Sequence, residues 1–448
     1  MPRNTTEPLP GPVFREPVFA ESKPIPPPSQ FADTPDDDKI YNTLGDLQKK
    51  DVVAFDPSRG NPSDLYSLAT AWGPHGADEI KRITSQKQIV FHAIGDSGAS
   101  ADNKRPDELA VTDAVTRDYH TSQGADVPSF LYHLGDLVYN FGESAYYYDQ
   151  FYDPFQNYPA PIFAIPGNHD SFVVPNTPKG QEPLTTFRRN FCAEKSVLTQ
   201  EARSLHRTAM TQPGVYFTLD APYVRIIGLF SNALEDPGVI SSQGGHWSAV
   251  PDVQLAFLEA QLKRVTSDPF KGAVLLAVHH PPFSYAPAAG KPGAGGRHLG
   301  NSVMLGEIDK ICLATGIYPD AVLSAHAHNY QRYTRTLTFG GKTRKVPFIV
   351  CGNGGHNVNP VVSPQKGKKE VEPGDNVDVS YLDANQVLMT GGSKTKLSLN
   401  AHDQHNYGYL RIVVNSSDLI IEYHPVNSQR KGPLTVDKVT VDLLKHSA

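Results

Sequence analysis

Short apolar segments recur along the chain from Gln88 onward, and each is followed by a polar loop. In order, the segments with their loops are IVFHAIGDSG, SFLYHLGDLVYN, PIFAIPGNHD, VRIIGLFSN, AVLLAVHHPP, AVLSAHAHNYQR and FIVCGNGGH. Their apolar parts lack strict alternation, which is typical of strands buried on both faces of a layered α/β protein. In such sheets, ligand and catalytic groups gather at the carboxyl ends of the strands. The pattern therefore predicts that these loops carry the chemistry.

Other periodic segments predict the elements around this sheet. A helical stripe of Leu255, Leu258, Leu262 and Val265 lies in PDVQLAFLEAQLKRVTSDP, and Pro269 is expected to end that helix. A hairpin is predicted near the end of the chain in YGYLRIVVNSSDLIIEYHPV, where an Asn-Ser-Ser-Asp turn joins two strands. The fold class is therefore α/β, with strands covered by helices.

Two parts of the chain break this rhythm. Residues 1–85 are predicted to form a Pro-rich N-terminal arm and an extension packed on the main domain. The arm is predicted because the first 35 residues carry little apolar periodicity. Residues 86–448 form the predicted main domain, with an insertion at about 361–400 where Lys, Gly and Pro interrupt the strand pattern.

Composition excludes some classes of partner. The net charge of −6 provides no basic field for nucleic acid or anionic membranes. No segment approaches the roughly 20 apolar residues of a membrane span. Three distant cysteines argue against a disulfide scaffold, so we expect a cytoplasmic protein, with a secreted or periplasmic location as the alternative if a signal segment has been removed. The sequence does not predict the oligomeric state.

Polar side chains that can bind metals or transfer protons begin these loops. They are Asp96, Asp136, Asn168, His169, Asp170, His279, His280, His326 and His328. Carboxylate, amide and imidazole ligands without thiolate suit Fe, Mn and Zn. The donors exceed one coordination shell, so a pair of metals is expected, and such pairs serve phosphate ester hydrolysis.

Each signal also has a structural interpretation. A single Gly-Asp after a strand is usually a turn, and Asn-His-Asp after Pro-Gly is otherwise an ordinary turn or helix cap. Tyr139, three residues after Asp136, is either a packed aromatic or part of the same site. Five such signals, each at a strand end, favour the metal site.

The order GDSG, GDLVY, GNHD, VHH and HAH resembles the calcineurin-like metallophosphoesterase superfamily and, within it, the purple acid phosphatases. The resemblance covers about Gln88 to Pro360 and the C-terminal hairpin. It implies a four-layer α/β/β/α sandwich with mixed sheets, and makes 86–448 the catalytic domain. It also implies a dinuclear centre with two sets of ligands. The ferric site takes Asp96, the bridging Asp136, Tyr139 and His328, and the divalent site, holding Fe(II), Zn(II) or Mn(II), takes Asp136, Asn168, His279 and His326.

The resemblance also implies residues around the metals. His169 resembles the family histidine that binds substrate phosphate or protonates the leaving alkoxide. Alignment of LLAVHHPP by its strand makes His279 the ligand and His280 a phosphate contact, whereas Asp170 either orients His169 or caps a helix. Ala325 replaces the usual glycine before His-x-His, which is expected to shift the loop slightly without loss of metal. His246, His298 and His356 are interpreted as surface or packing residues.

The expected function is hydrolysis of small-molecule phosphate monoesters, an acid phosphatase activity of an Fe(III)-M(II) centre with metal-activated hydroxide as nucleophile. One alternative is a phosphodiesterase or nucleotidase of the same fold with two divalent metals, in which Tyr139 is structural. Another is a non-catalytic binding protein on this fold.

Overall fold

The computed structural model describes residues 65–100, 103–139, 141–171, 184–203, 207–232, 238–248, 250–268, 270–284, 298, 300–361, 376–377, 396–427, 434 and 436–448. The predicted arm, up to residue 64, and most of the predicted insertion lie outside the described residues.

The described segments contain both strands and helices. The strands are β1 (Tyr66–Ser67), β2 (Gln88–Ile94), β3 (Leu131–His133), β4 (Ile162–Ala164), β5 (Phe217–Ala221), β6 (Val224–Leu229), β7 (Ala273–Val278), β8 (Ala321–Ser324), β9 (Tyr330–Phe339), β10 (Lys342–Cys351), β11 (Asn376–Val377), β12 (Lys396–Asp403), β13 (Tyr407–Asn415), β14 (Asp418–Val426) and β15 (Asp437–Asp442). The helices are α1 (Leu68–Ala71), α2 (Gly76–Gln86), α3 (Arg105–Thr121), α4 (Thr185–Phe191), α5 (Val253–Ser267) and α6 (Ser302–Thr315).

The strands form two mixed sheets. The nine-stranded sheet has the order β1-β5-β6-β7-β8-β10-β9-β12-β11, and the six-stranded sheet has the order β15-β14-β13-β2-β3-β4. Strands β6, β7, β8 and β10 run parallel in the first sheet, and β2, β3 and β4 run parallel in the second. The predicted hairpin is present, because β13 and β14 pair antiparallel. All seven apolar segments are strands of these sheets.

Helices cover the sheets, and the sheets contact each other. Helix α3 packs on β13 and β14, α5 packs on β6 and on α6, and β10 contacts β13 between the sheets. The predicted stripe lies on α5, where Leu258 and Leu262 are fully buried while Leu255 and Val265 are partly buried. Burial of such a stripe contributes roughly 2 kcal/mol for each fully covered leucine. The predicted α/β fold with two mixed sheets is confirmed.

The structure adds detail at the predicted boundaries. Strand β1 pairs with β5, so the described end of the N-terminal extension joins the nine-stranded sheet. Residues 396–400, assigned from sequence to the insertion, lie in β12, which pairs with β9.

All three cysteines are free thiols. None of the helices in the described ranges has the length and hydropathy that a membrane crossing needs.

Candidate metal centre

The predicted metal ligands lie in loops at the carboxyl ends of parallel strands from both sheets. In the six-stranded sheet these loops follow β2, β3 and β4, and in the nine-stranded sheet they follow β7 and β8. The residues are Asp96, Asp136, Asn168, His279, His326 and His328, all of them buried. The edges of the two sheets therefore bring together side chains that are as much as 232 positions apart, from Asp96 to His328.

Three of these residues have backbone in the left-handed region. The φ angle is 54° at Asp96, 57° at Asp136 and 65° at His326. Such a conformation is uncommon outside glycine and costs roughly 1–2 kcal/mol. Strained backbone of this kind clusters at functional sites.

One group of donor atoms surrounds the Asn168 amide oxygen. Asn168 Oδ1 is 3.0 Å from His279 Nε2 and 3.1 Å from His326 Nδ1. His279 Nε2 is also 3.3 Å from Asp136 Oδ2. The other nitrogen of His279, Nδ1, donates to the Leu134 carbonyl at 2.8 Å, which fixes the ring. Asp136, His279 and His326 each offer a ligand atom within 4.8 Å of the others.

A second group of donor atoms surrounds the Tyr139 phenol. Tyr139 Oη is 3.0 Å from Asp96 Oδ1 and 3.1 Å from Asp136 Oδ2, and both contacts are hydrogen bonds from the phenol. The same oxygen is 3.3 Å from His328 Nε2. Asp136 Oδ2 belongs to both groups, since it contacts both Tyr139 and His279.

The donor set fits a pair of hard or borderline metal ions. Carboxylate, phenol, amide and imidazole donors converge in a buried space, and such donors suit Fe, Mn and Zn. His328 Nδ1 is buried and has no hydrogen-bond partner among the described residues. The nitrogen placed to bind a metal is the other one, Nε2, which lies 3.3 Å from Tyr139 Oη and 3.4 Å from Asp96 Oδ1.

The ionisable side chains of the site shift one another's pKa values. Burial opposes a charge on His279, but the Asp136 carboxylate outweighs burial and raises the pKa of His279 to about 9. Burial likewise opposes ionisation of Asp136, yet His279 and His169 hold the pKa of that carboxyl well below its usual range. Burial and the Asp136 charge raise the pKa of Asp96. Asp136 and His279 therefore form an ion pair without metal.

Metal binding is expected to release protons at neutral pH. His279, with a pKa of about 9, must lose its proton before Nε2 can bind a metal. The apparent zinc affinity should therefore rise by up to about tenfold per pH unit as the pH increases toward about 9, and this contribution should end above that value. Zinc titration calorimetry in buffers of different ionisation enthalpy measures both effects. An affinity independent of pH between about 6 and about 8 contradicts the ion pair.

Two of the predicted catalytic histidines lie beside these donor groups. The His169 amide donates to Asp136 Oδ1 at 2.9 Å, and His169 Nε2 is 4.0 Å from Asp136 Oδ2. The His169 side chain is 8% exposed, and its ring lies 4.1 Å from that of Tyr139. His280 Nδ1 instead contacts Ser231 Oγ at 2.7 Å, and its ring lies 4.2 Å from that of His326. Of the two adjacent histidines, His279 is therefore the one that contacts Asp136 and Asn168.

Asp170 holds the loop that follows β3. Its carboxylate accepts hydrogen bonds from four backbone amides at 2.8–3.2 Å, those of Asp136, Leu137, Val138 and Gly167. The Asp170 carboxylate thus binds amides of two loops, whereas the capping role expected from the sequence was at a helix. The conformation of Asp136 therefore depends on Asp170.

Replacement of Asp170 by alanine is expected to lower the free energy of unfolding by about 3 kcal/mol or more, because four buried amides lose a charged acceptor. Zinc affinity should fall as well, since Asp136 loses its backbone support. Asp403 offers a matched control, because it accepts from the amides of His405 and Asn406 far along the chain. Asp403→Ala should lower stability without changing zinc affinity, as measured by urea unfolding and zinc titration. Equal zinc affinities in Asp170→Ala and wild type contradict the role.

Several residues that contact the site are not evident from the sequence. His133 joins two loops, because its Nε2 donates to Ser97 Oγ at 2.9 Å and its Nδ1 accepts from the Gly135 amide at 3.2 Å. His298 Nδ1 is 3.1 Å from His326 Nε2. His298 therefore lies against His326, and the ring of His356 stacks on that of Tyr139, so both histidines contact predicted ligands. The only feature of the sequence that could have indicated these two histidines is their position in Gly-rich loops.

Close packing explains two small residues at the site. A Cβ atom on Gly167 would lie 2.1 Å from Asp136 Oδ1, so only glycine fits there. A Cβ atom on Gly95 would lie 2.3 Å from the Ala325 methyl group. The extra methyl of Ala325 is accommodated because Gly95 faces it, and His326 keeps its place beside Asn168.

Solved structures with a similar arrangement have low sequence identity to this chain. A purple acid phosphatase from yellow lupin (Lupinus luteus) seeds matches with 16% identity and a TM-score of 0.47, over 81% of this chain and 56% of that protein. The chain thus spans little more than half the length of that phosphatase. GAP50, the anchor in the inner membrane complex of Plasmodium, matches with 11% identity and a TM-score of 0.46, over 80% of this chain and 93% of that protein.

Sequence comparison assigns the family. No curated protein sequence matches this chain significantly. The family model described as calcineurin-like phosphoesterase matches residues 89–330, which include every predicted metal ligand. The predicted resemblance to this superfamily is confirmed, and the chain belongs to the calcineurin-like phosphoesterase family.

Proposed function

We propose that the protein is an acid phosphatase that hydrolyses phosphate monoesters with an Fe(III)-M(II) centre. The observation that carries the proposal is the position of the Tyr139 phenol oxygen, within 3.0–3.3 Å of Asp96, Asp136 and His328. A phenolate is a hard, anionic donor that stabilises a trivalent ion. A tyrosine that merely filled space would not need its oxygen among three potential ligands.

The ligands divide into two sets that share Asp136. Asp96, Asp136, Tyr139 and His328 would hold the ferric ion, and Asp136, Asn168, His279 and His326 would hold Fe(II), Zn(II) or Mn(II). When bound, the two ions polarise the phosphoryl oxygens and lower the pKa of water, which supplies a hydroxide at neutral or acidic pH.

The protein's own residues position the substrate and transfer protons. His169 lies beside Asp136 and Tyr139, where its ring can contact the phosphate or, when protonated, donate a proton to the leaving alkoxide. His280 is held by Ser231 and lies beside His326, on the side of the divalent ligands. Burial of Asp96 and Asp136 lowers the local dielectric constant, which would strengthen the attraction of these carboxylates for the two cations.

One observation favours a second function. Tyr139 Oη donates to two carboxylates, those of Asp96 and Asp136, as a neutral phenol does. A phosphodiesterase or nucleotidase with two divalent metals, in which Tyr139 is a structural donor, is consistent with this arrangement. The two functions differ in the metal they require and in the ester they prefer.

Hydrolysis of matched aryl esters tests the proposal. The purified protein is loaded with iron and zinc, or with manganese alone, and assayed with 4-nitrophenyl phosphate and bis(4-nitrophenyl) phosphate between acid and neutral pH. We expect the iron-zinc form to prefer the monoester and to be most active at acid to neutral pH. Preference for the diester, with full activity in manganese alone, supports the second function. Absence of hydrolysis with every metal supports a binding protein.

A further inference from the structure

The ring of Tyr139 is enclosed by two imidazoles. His356 stacks on it with ring centroids 3.5 Å apart and planes 10° apart. His169 lies 4.1 Å away at an angle of 44°. The centroids of His169 and His356 are 6.5 Å apart, farther than either is from Tyr139, so the two imidazoles lie on different sides of the phenol.

The orientation of His356 is itself fixed. His356 Nδ1 donates to the Gly98 carbonyl at 2.9 Å, which leaves Nε2 to accept from Lys104 Nζ at 3.2 Å. The His356 amide donates to the Asp96 carbonyl at 3.0 Å. The ring and the backbone of His356 are therefore both bound to the loop that carries Asp96, and the imidazole cannot rotate without loss of the hydrogen bonds with Gly98 and Lys104.

The backbone of Tyr139 is held separately. Gln150 Oε1 accepts from the Tyr139 amide at 2.8 Å, and Gln150 Nε2 donates to the Tyr139 carbonyl at 2.8 Å. With the backbone fixed, the direction of the phenol oxygen depends on the two side-chain torsions. A flat ring stacked at 3.5 Å restricts these torsions.

We infer that His356 is a positioning residue for Tyr139, an inference that rests on the proposed function because it takes the phenol to be a metal ligand. His356 holds the ring in the plane that directs Oη between Asp96 and Asp136. Residues that support a metal ligand from outside commonly change metal affinity by roughly 10–100-fold when they are replaced. Lys104 and Gly98 contribute by locking the histidine.

Two variants of the full chain separate the contribution of the stacked ring from that of its hydrogen bonds. His356→Ala removes the stacked ring, and His356→Phe keeps a flat ring but loses the bonds to Gly98 and Lys104. Iron retained against increasing chelator concentration gives the affinity, and the visible absorption band reports the phenolate. We expect His356→Ala to lower iron affinity by roughly 10–100-fold and to weaken the band, and His356→Phe to restore most of both. Unchanged affinity and band in His356→Ala, or an equal defect in His356→Phe, overturns the inference.

A second stacked histidine supplies the control. His424 stacks on Tyr409 with centroids 5.2 Å apart and planes 16° apart, on strands β14 and β13. His424→Ala should leave iron affinity and the band unchanged, and an effect equal to that of His356→Ala overturns the positioning role. If wild-type protein binds no iron or remains colourless, the proposed function fails together with this inference. A coloured wild type with an unaffected His356→Ala overturns only the role of His356.

Discussion

Replacement of Asp136 by asparagine is expected to abolish stable binding of the metal pair and nearly all hydrolysis. Asp136 Oδ2 contacts both Tyr139 and His279, so this one carboxylate serves both predicted metal sites. An amide in its place removes a negative charge and leaves a single acceptor oxygen. We expect kcat/KM for an aryl phosphate to fall by about 10³-fold or more, with less than one equivalent of each metal retained after dialysis.

A buried aspartate outside the site provides the control for this variant. Asp320 accepts from the Val274 amide at 2.9 Å and lies close to Arg344, in the nine-stranded sheet. Asp320→Asn should retain both metals and full activity even if its stability falls. Metal analysis and steady-state kinetics compare the two proteins. Two retained metals and normal activity in Asp136→Asn contradict the shared carboxylate.

Replacement of His169 by glutamine is expected to impair catalysis while metal content stays normal. His169 contacts Asp136 through its backbone amide, which the substitution preserves, and its ring lies 4.1 Å from that of Tyr139. Loss of a positioned general acid costs roughly 10²–10⁴-fold in rate. The fall should be smaller for 4-nitrophenyl phosphate than for an alkyl phosphate, because nitrophenolate leaves without protonation.

Another histidine tests whether this effect is specific. His246 is exposed in a turn that precedes α5, and His246→Gln should leave kcat unchanged. Metal analysis accompanies the kinetics of both variants. If His169→Gln loses metal in proportion to activity, His169 supports the metal site and is not the proton donor. If aryl and alkyl phosphates are equally affected, a role in phosphate binding replaces the role as acid.

Much of the fold could be predicted because strand burial and helix amphipathicity are local properties. The stripe of Leu258 and Leu262 specified α5, and the apolar runs specified strands whose carboxyl ends carry Asp96, Asp136 and His279. The last residues of the predicted insertion, 396–400, belong to a strand that the sequence did not indicate. Leu397, Leu399 and Ala401 alternate with polar residues there, and the surrounding Lys and Gly obscured that period.

The supporting residues of the site could not be predicted because their contacts are long-range. His356 is 217 positions from Tyr139, and no local pattern in GNGGH indicates the stacking. Asp170 follows His169 directly, yet its carboxylate bonds to the loop after β3. The left-handed backbone at Asp96 and Asp136 is likewise set by the packed loops and not by residue type. The sequence thus predicted which residues could bind metals, whereas the orientation of their side chains required the structure.

The visible absorption spectrum of iron-loaded protein tests the central claim most directly. Wild-type protein should show a broad phenolate-to-iron band, and Tyr139→Phe, which removes only the phenol oxygen, should lose it. Tyr152→Phe is the control. Tyr152 is a buried tyrosine outside the two donor groups, and its hydroxyl donates to Asn190 Oδ1 over 2.6 Å. Loss of the band in Tyr139→Phe alone is the predicted result. A fully metallated wild type without colour, or a band and metal content that survive unchanged in Tyr139→Phe, would contradict the account.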